Sequence, residues 1–162
     1  MSTIIDAFQI QPIHRLENDG WKVTASSFEP GEGETEHCID GDPATFWHSA
    51  YSASEPHHPH FLLLDLHKSV EISGIRYQGR PGNANGRVAK FAVYVSDDPK
   101  LGDEKEGRLG GMPILEGTFK NSEEPQIGWF GKKVKGRYLR FVALSEVNGK
   151  PWASVAECTP LR

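Results

Sequence analysis

Short apolar runs separated by clusters of turn-forming residues follow one another along most of the chain. Residues 60–66 form a nearly continuous apolar run, which is typical of a central strand in a sandwich. In residues 88–96, Phe91, Val93 and Val95 alternate with positions that face the other way. No window shows an amphipathic helix longer than about two turns. The pattern predicts about eight strands, over residues 21–26, 60–66, 70–78, 88–96, 114–119, 127–134, 138–144 and 154–158.

Turn-forming residues lie between most of these runs, as at 81–83, 85–86 and 148–149. The 17 Gly and 11 Pro residues supply the many turns that an all-β protein needs. Short strands separated by such turns predict an all-β fold, a β-sandwich or jelly roll. Residues 1–20 show little periodicity, so we expect an N-terminal lead-in strand or linker there and one domain over residues 21–162.

The composition narrows the class of protein. At 162 residues and 37% hydrophobic content, the chain is long and apolar enough to bury a core as one domain. A net charge of -4 without a basic block argues against nucleic-acid binding. No apolar run approaches the ~20 residues of a membrane span, and residues 1–11 show no signal-peptide pattern.

The turn at residues 40–45 is a candidate metal site. Asp40 and Asp42 flank Gly41, and Thr45 follows a proline, so carboxylate and hydroxyl oxygens crowd one tight turn. Calcium takes six to eight oxygen ligands of this kind. The alternative is a plain Asx-turn, in which the aspartates bond their own backbone. A calcium site would also need a distant carboxylate that local spacing does not identify.

Aromatic and hydrogen-bonding side chains are concentrated in three loops. Aromatic rings suit the C–H face of a sugar, whereas Arg, Asn and His suit its hydroxyls. Trp47 fits a core position better than a binding position, because Trp is usually well buried. For Trp152, packing and binding remain equally open. The loop residues in question are Trp47, His48 and Tyr51; Arg80, Asn83, Asn85 and Arg87; and Trp152.

The sequence gives little support for a histidine metal site or for catalysis. The run His57-His58-Pro59-His60 lacks further metal ligands at suitable spacing, so a solvated loop leading into a strand at His60 is favoured over a metal site. The usual catalytic motifs are missing from the sequence. A glycosidase needs two facing carboxylates, and Glu55, Asp65, Glu116 and Glu146 leave such a pair open. Ordinary solvated loop charges are expected at Glu32, Glu34, Glu36, Glu104, Glu106, Glu123 and Glu124.

Five segments in order resemble one family: residues 39–49, 61–66, 72–77, 137–141 and 152–157. Together they are similar to the factor 5/8 type C (discoidin) domain, and more narrowly to the family 32 carbohydrate-binding modules of bacterial glycoside hydrolases. The resemblance covers residues 21 to 159, nearly the whole chain. It implies a galactose-binding-domain-like jelly roll that is not itself an enzyme.

The resemblance also implies two sites. Calcium, as a structural ion, would be held by the side chains of Asp40, Thr45 and Glu157, an oxygen of Asp42, and the carbonyls of His37 and Ala156. A sugar would be bound by His48, Arg80 and Asn85 as hydrogen-bonding residues. Tyr51 and Trp152 would be the aromatic walls, with Tyr51 standing where many members have Trp.

If Asp40 and Glu157 share an ion, Cys38 and Cys158 lie close together, and a disulfide and two buried free thiols both remain open. The function expected is a carbohydrate-binding module for galactose, N-acetylgalactosamine or N-acetylglucosamine type sugars. It would be a monomeric unit of a larger extracellular, periplasmic or cell-surface glycoside hydrolase. The alternative is a protein- or lipid-binding adhesion domain, which the polar loops disfavour. A glycosidase in its own right ranks third.

Overall fold

The computed structural model describes residues 4–6, 13–101, 104–105, 108–109 and 111–162. Apart from one short 3-10 helix, Thr35–Ile39, the regular elements in these residues are strands. The strands are β1 (Ile4–Asp6), β2 (Lys22–Ala25), β3 (Trp47–His48), β4 (His60–Gln78), β5 (Lys90–Ser96), β6 (Glu104–Lys105), β7 (Arg108–Leu109), β8 (Leu115–Thr118), β9 (Gln126–Ala143), β10 (Ser154–Val155) and β11 (Glu157–Leu161). The predicted all-β fold is confirmed. None of the described helical residues forms a segment long and apolar enough to cross a membrane.

Two long strands, β4 and β9, replace four of the predicted shorter ones. The predicted interruption at residues 67–69 is a bend within β4, where the pairing register with β9 shifts between Asp65 and Val70. His67 has a positive φ of 72° at this bend. Arg137 of β9 holds the same bend through two hydrogen bonds to the Asp65 carboxylate, of 2.8 and 3.0 Å. The polar residues that suggested loops therefore bend continuous strands.

The bends let β4 and β9 contribute to two layers. Before its bend, β4 pairs with β2 and with the second half of β9, which continues to β5 and β8. After its bend, β4 pairs with β11 and with the first half of β9, which continues to β1. All these pairings are antiparallel. The two layers confirm the predicted β-sandwich.

The core lies between the layers and is rich in aromatic rings. Phe119 stacks on Tyr77 at 4.1 Å and on Phe91 at 4.0 Å, and Phe141 extends the stack. Burying one such side chain contributes about 1.5–3 kcal/mol. Trp47 is fully buried, and its indole N–H donates to the Ser27 carbonyl at 2.9 Å. The prediction that Trp47 is a core residue is confirmed.

The N-terminal residues take part in the sandwich. β1 pairs with Gln126–Gly128 of β9, and Arg15 forms a bridge with Leu161 of β11. Leu16 packs against the core. The backbone pairing of the described fold thus begins before residue 21.

The two ends of β4 lie at one end of the sandwich. His60, at its start, bonds the Pro151 carbonyl through Nε2 at 2.6 Å. Gln78, at its end, accepts from the Ala156 N–H at 2.9 Å. This end, opposite the Asp65 bend, carries the loops in which the sequence places its candidate site residues.

Candidate functional site

Four chain segments lie side by side at this end of the sandwich. His48 of β3 pairs with Ser154 of β10. On one side, the His48 N–H donates to the Gly33 carbonyl at 3.3 Å; on the other, the Ser154 N–H donates to the Gly86 carbonyl at 2.8 Å. We call this row of four backbone segments the platform. It brings loops from distant parts of the sequence next to one another.

Three rings come together on the platform. The His48 ring lies 5.1 Å from that of Tyr51 and 6.1 Å from that of Trp152, measured between centroids. The Tyr51 and Trp152 rings are 6.5 Å apart. His48 is only 2% exposed, whereas Tyr51 is 38% exposed and Trp152 is half-buried. The three rings therefore form one cluster in which His48 is the most buried member, and the roles of Tyr51 and Trp152 as aromatic walls stay predictions.

The surroundings of His48 set its protonation state. Its Nδ1 lies 2.7 Å from the Ser49 carbonyl, which can only accept, so Nδ1 carries the proton. Burial, and then the positive charge of Arg80, lower the pKa of His48, although the Ser49 bond opposes the shift. The ring is therefore neutral at neutral pH, and its Nε2 is left as a hydrogen-bond acceptor.

Arg80 lies over Phe46, with its Cζ 4.1 Å from the ring centroid. Its Nη1 is 4.0 Å from Oε1 of Glu32, and its side chain is only 13% exposed. The Nε of Arg80 is buried without a hydrogen-bond partner in the described structure. The other Glu32 oxygen accepts from the Tyr51 hydroxyl. Glu32 is exposed, as interpreted from the sequence, but it also links two candidate site residues.

Asn85 is exposed beside the platform. Its carbonyl accepts from the Ser154 hydroxyl at 2.8 Å, and its N–H donates to the Asn83 side chain at 2.7 Å. Gly86, which follows, has a φ of 81°, and a Cβ there would lie 2.8 Å from the Ser154 nitrogen. Only glycine fits at this position, so the Asn85 turn is held close to the strand that faces His48.

Several supporting residues were not identified from the sequence. The Phe46 ring packs against the Arg80 guanidinium, and Glu55 accepts from the Trp152 indole N–H at 2.9 Å. Glu123 is exposed, as interpreted from the sequence, and it also accepts from the Gly82 N–H at 2.8 Å and lies 3.5 Å from the Arg87 guanidinium. Each of these contacts joins segments far apart in sequence, so no local spacing signals them.

The turn at residues 40–45 has the Asx geometry that was the alternative to a metal site. Asp40 accepts from the Asp42 N–H at 2.9 Å, and Asp42 accepts from the Ala44 N–H at 2.9 Å. The Thr45 hydroxyl also lies 2.5 Å from the second Asp40 oxygen and 3.1 Å from the Asp42 carbonyl. Several oxygens thus converge in the turn, and the Asx-turn and an oxygen-rich site coexist.

Glu157 brings a second carboxylate to this turn from the far end of the chain. It is 5% exposed, and its Oε1 is buried with no hydrogen-bond partner in the described structure. Burial, followed by a hydrogen bond with Asp40 and its charge, raises the pKa of Glu157 to about 8. The charge of Arg76 opposes this rise without cancelling it, so the two adjacent carboxyls form a pair that a cation would stabilise.

The remaining predicted metal ligands lie next to this pair in the chain. His37 lies in the 3-10 helix, with its Nδ1 3.2 Å from the Phe46 carbonyl, and Ala156 donates its N–H to Gln78. The roles of the two carbonyls stay predictions. Among the described residues, no three His, Cys, Asp or Glu side chains form a cluster for a metal ion. The donor set is therefore two carboxylates with hydroxyl and backbone oxygens, which suits a hard cation such as calcium.

Cys38 and Cys158 are both fully buried free thiols. Burial, and then the neighbouring Cys158, raise the pKa of the Cys38 thiol well above its usual range. Burial raises the pKa of Cys158 to about 12. Of the two alternatives left open by the sequence, the structure shows the free thiols.

The histidine run lies under the Trp152 loop. The His58 and His60 rings meet edge to face at 4.7 Å, and His60 opens β4 as predicted. Burial lowers the pKa of His58 from 6.5 to about 4, and burial also lowers that of His60. The His58 and His60 rings are therefore neutral, and they pack beneath the loop that carries Trp152.

Comparisons with known proteins agree with this architecture. The sequence model of the F5/8 type C domain matches residues 22–158. A sialidase of Micromonospora viridifaciens is 39% identical over 127 residues, or 78% of this chain and 18% of that enzyme. A galactose oxidase of Gibberella zeae is 33% identical over 144 residues, or 88% of this chain and 20% of that enzyme. The chain spans about a fifth of the length of these two relatives.

Solved structures match over nearly the whole chain. CpGH89CBM32-5 from Clostridium perfringens, in complex with GalNAc-β-1,3-galactose, has a TM-score of 0.76 and 31% identity, covering 91% of this chain and 99% of that one. The family 32 module of C. perfringens NanJ, in complex with galactose, has a TM-score of 0.76 at 22% identity, covering 93% and 100%. The second likeness is one of fold.

Proposed function

Because the chain belongs to the F5/8 type C domain family, we propose that it is a carbohydrate-binding module, and that its ligand is a terminal galactose- or hexosamine-type sugar. One observation carries the proposal: neutral, buried His48 lies against both the Tyr51 and the Trp152 ring, with Arg80 close to the same group. Aromatic rings offer contact to the C–H face of a sugar, while imidazole and guanidinium groups bind its hydroxyls.

The hydrogen-bonding groups are complementary in character. His48 Nε2 accepts, whereas the Arg80 guanidinium only donates, so a hydroxyl between them can both give and receive a hydrogen bond. Asn85 would add both a donor and an acceptor. Pairing a hydroxyl with two fixed groups discriminates between axial and equatorial positions. We propose that the feature which the site reads is the axial hydroxyl of a galactose-type sugar, as the family resemblance implies.

Similar proteins support a sugar ligand. CpGH89CBM32-5, 31% identical, was solved with GalNAc-β-1,3-galactose. The sialidase and the galactose oxidase are larger proteins, about a fifth of whose length this chain spans. We infer that this chain targets an attached glycoside hydrolase, as a monomeric and non-catalytic unit in an extracellular, periplasmic or cell-surface setting. Residues 21–162 would be the binding domain.

Calcium is included in the proposal as a structural ion. The side chains of Asp40, Thr45 and Glu157, an Asp42 oxygen, and the His37 and Ala156 carbonyls would hold it. The unpaired buried oxygen of Glu157 and its contact with Asp40 support this assignment. The ion would neutralise the carboxylate pair and fix the loop that leads into β3. It would take no direct part in sugar binding.

A glycan array followed by titration of the strongest hit tests the proposal. A shallow site of this kind should bind one sugar with a dissociation constant between about 1 μM and 1 mM, so that multivalent display raises the apparent affinity. An array without galactose- or hexosamine-containing hits would contradict the proposal. Binding to lipid vesicles instead would favour the adhesion-domain alternative.

A further inference from the structure

A buried carboxylate, Glu146, lies behind the platform and is only 4% exposed. Its Oε2 accepts from the Gly86 N–H at 3.0 Å. Its Oε1 accepts from the Asn148 N–H at 2.5 Å and the Lys150 N–H at 3.1 Å. The two oxygens of one carboxylate therefore bind two different loops, the one that carries Asn85 and the one that leads to Trp152.

A second buried carboxylate, Glu29, supports the opposite wall in a different way. It is 6% exposed, and its Oε1 accepts from the N–H groups of Tyr51 and Ser52 at 2.8 and 2.9 Å. Its Oε2 accepts from the Ser52 hydroxyl. The Ser52 bond, followed by the two backbone bonds, lowers the pKa of Glu29. Both Glu29 oxygens thus serve a single loop.

We propose that Glu146 is a positioning residue that fixes Asn85 and Trp152 relative to each other, and that this role requires a carboxylate rather than an amide. The assignment of those two side chains to sugar binding rests on the proposed function. The linkage of the two loops through Glu146 is independent of it.

A Glu→Gln exchange should have different effects at Glu146 and Glu29. A Gln side chain has one acceptor oxygen and one N–H₂ donor. At position 146 every partner is a backbone N–H, so the amide can satisfy one loop while its N–H₂ faces the donors of the other. At position 29 the Ser52 hydroxyl can rotate and accept from the amide, so all partners remain satisfied. Leaving a buried donor unpaired is costly, whereas exchanging one satisfied bond for another is not.

Galactose titration of the E146Q and E29Q proteins, followed by ¹⁵N NMR, tests the proposal. We expect E146Q to weaken galactose binding at least about tenfold, and E29Q to change it less than about threefold. In E146Q, either the Gly86 amide or the Asn148 and Lys150 amides should shift and exchange faster with solvent. The Trp152 indole signal should broaden or move. The same signals in E29Q should stay close to their wild-type positions.

Asp65→Asn is the control for a general loss of stability, because Asp65 holds the β4 bend, at the opposite end of the sandwich, through Arg137. It should lower the melting temperature and leave galactose affinity unchanged. If E146Q does not fold, Glu146→Asp keeps the charge while shortening its reach and should also release one loop. Equal affinities and unchanged amide signals in folded E146Q would overturn the proposal. If the wild-type protein fails to bind galactose, the proposed function is contradicted, and the amide and indole signals still decide whether Glu146 links the loops.

Discussion

The indole N–H of Trp152 donates a 2.9 Å hydrogen bond to a carboxylate oxygen of Glu55, 97 residues earlier in the chain. The same ring lies 6.1 Å from the His48 ring and 6.5 Å from the Tyr51 ring. The Trp152 ring, a predicted wall of the site, is therefore held by a hydrogen bond at its indole N–H as well as by its contacts with other rings. A wall that is ordered before a ligand arrives reduces the entropy lost on binding.

Replacing Trp152 with Ala should reduce sugar affinity at least about tenfold, because it removes the stacking surface of one wall. A loss of this size corresponds to about 1.4 kcal/mol. Calorimetric titration with the best array hit measures it. Trp21→Phe is the matched control, since Trp21 packs beside strand β2, near the Asp65 end of the sandwich. Equal losses in both variants would indicate a general folding defect.

Replacing Arg80 with Lys should weaken binding even though the charge is kept. A lysine ammonium lacks the planar fork and cannot lie over the Phe46 ring in the same way. We expect a loss of roughly tenfold in affinity, with little change in melting temperature. Arg137→Lys serves as the comparison, because its contacts are at the opposite end and should affect stability alone. Wild-type affinity in the Arg80→Lys protein would exclude a bidentate role.

Calcium should raise the melting temperature, and a chelator should lower it. An ion that binds only the folded state at 100 times its dissociation constant adds about 2.7 kcal/mol, or about 5–10 °C for a domain of this size. Glu157→Gln should abolish the response, because Glu157 completes the carboxylate pair. Exposed Glu36 gives the control variant Glu36→Gln, which should retain it. A calcium-independent melt of metal-free protein would show that residues 40–45 form only a turn.

The contribution of His58 to the stability of the domain should fall as the pH falls from about 6.5 to about 4. Burial lowers the pKa of His58 to about 4 in the folded protein, from its ordinary value of 6.5. Between these values the unfolded chain binds a proton that the folded chain does not, so this contribution is fully present above pH 6.5 and is lost as the pH falls. Urea titrations at pH 7 and pH 5 measure the difference. His58→Gln should lose less stability between pH 7 and pH 5 than the wild-type protein does, and an unchanged difference would assign the effect to other groups.

Mass spectrometry with an alkylating reagent should find two free thiols in the unfolded protein without any reductant. In the folded protein both should react slowly, because Cys38 and Cys158 are fully buried and their pKa values are raised. A mass lower by two hydrogens in the unreduced protein would instead show a disulfide.

The fold was largely predictable because strand periodicity is a local signal. The runs at 60–66 and 70–78 both lie in β4, and His60 was correctly placed at its start. Their continuity was not predictable, since the residues between them resemble a loop and become a bend only through contacts such as Arg137 with Asp65. The sequence shows where turn-forming residues lie, and long-range pairing decides whether they end a strand.

The site was predictable only where a residue type limits its own role. His48, Tyr51 and Trp152 were identified from ring chemistry and family resemblance, and the structure brings their rings together. Glutamates in loops give no such signal. Glu32 and Glu146 have ordinary neighbours in sequence, and their partners Tyr51, Arg80 and Gly86 are reached only after the chain folds.

The division between the two ends of the sandwich has a practical consequence for protein engineering. The bends that hold the two layers together are at the Asp65 end, whereas the ring cluster and its supporting loops are at the His60 end. Side chains on the ligand loops can therefore be randomised in a library while the strand bends remain constant. Selection from such a library would yield lectins of altered specificity on one scaffold, provided that the platform glycines and Glu146 are left unchanged.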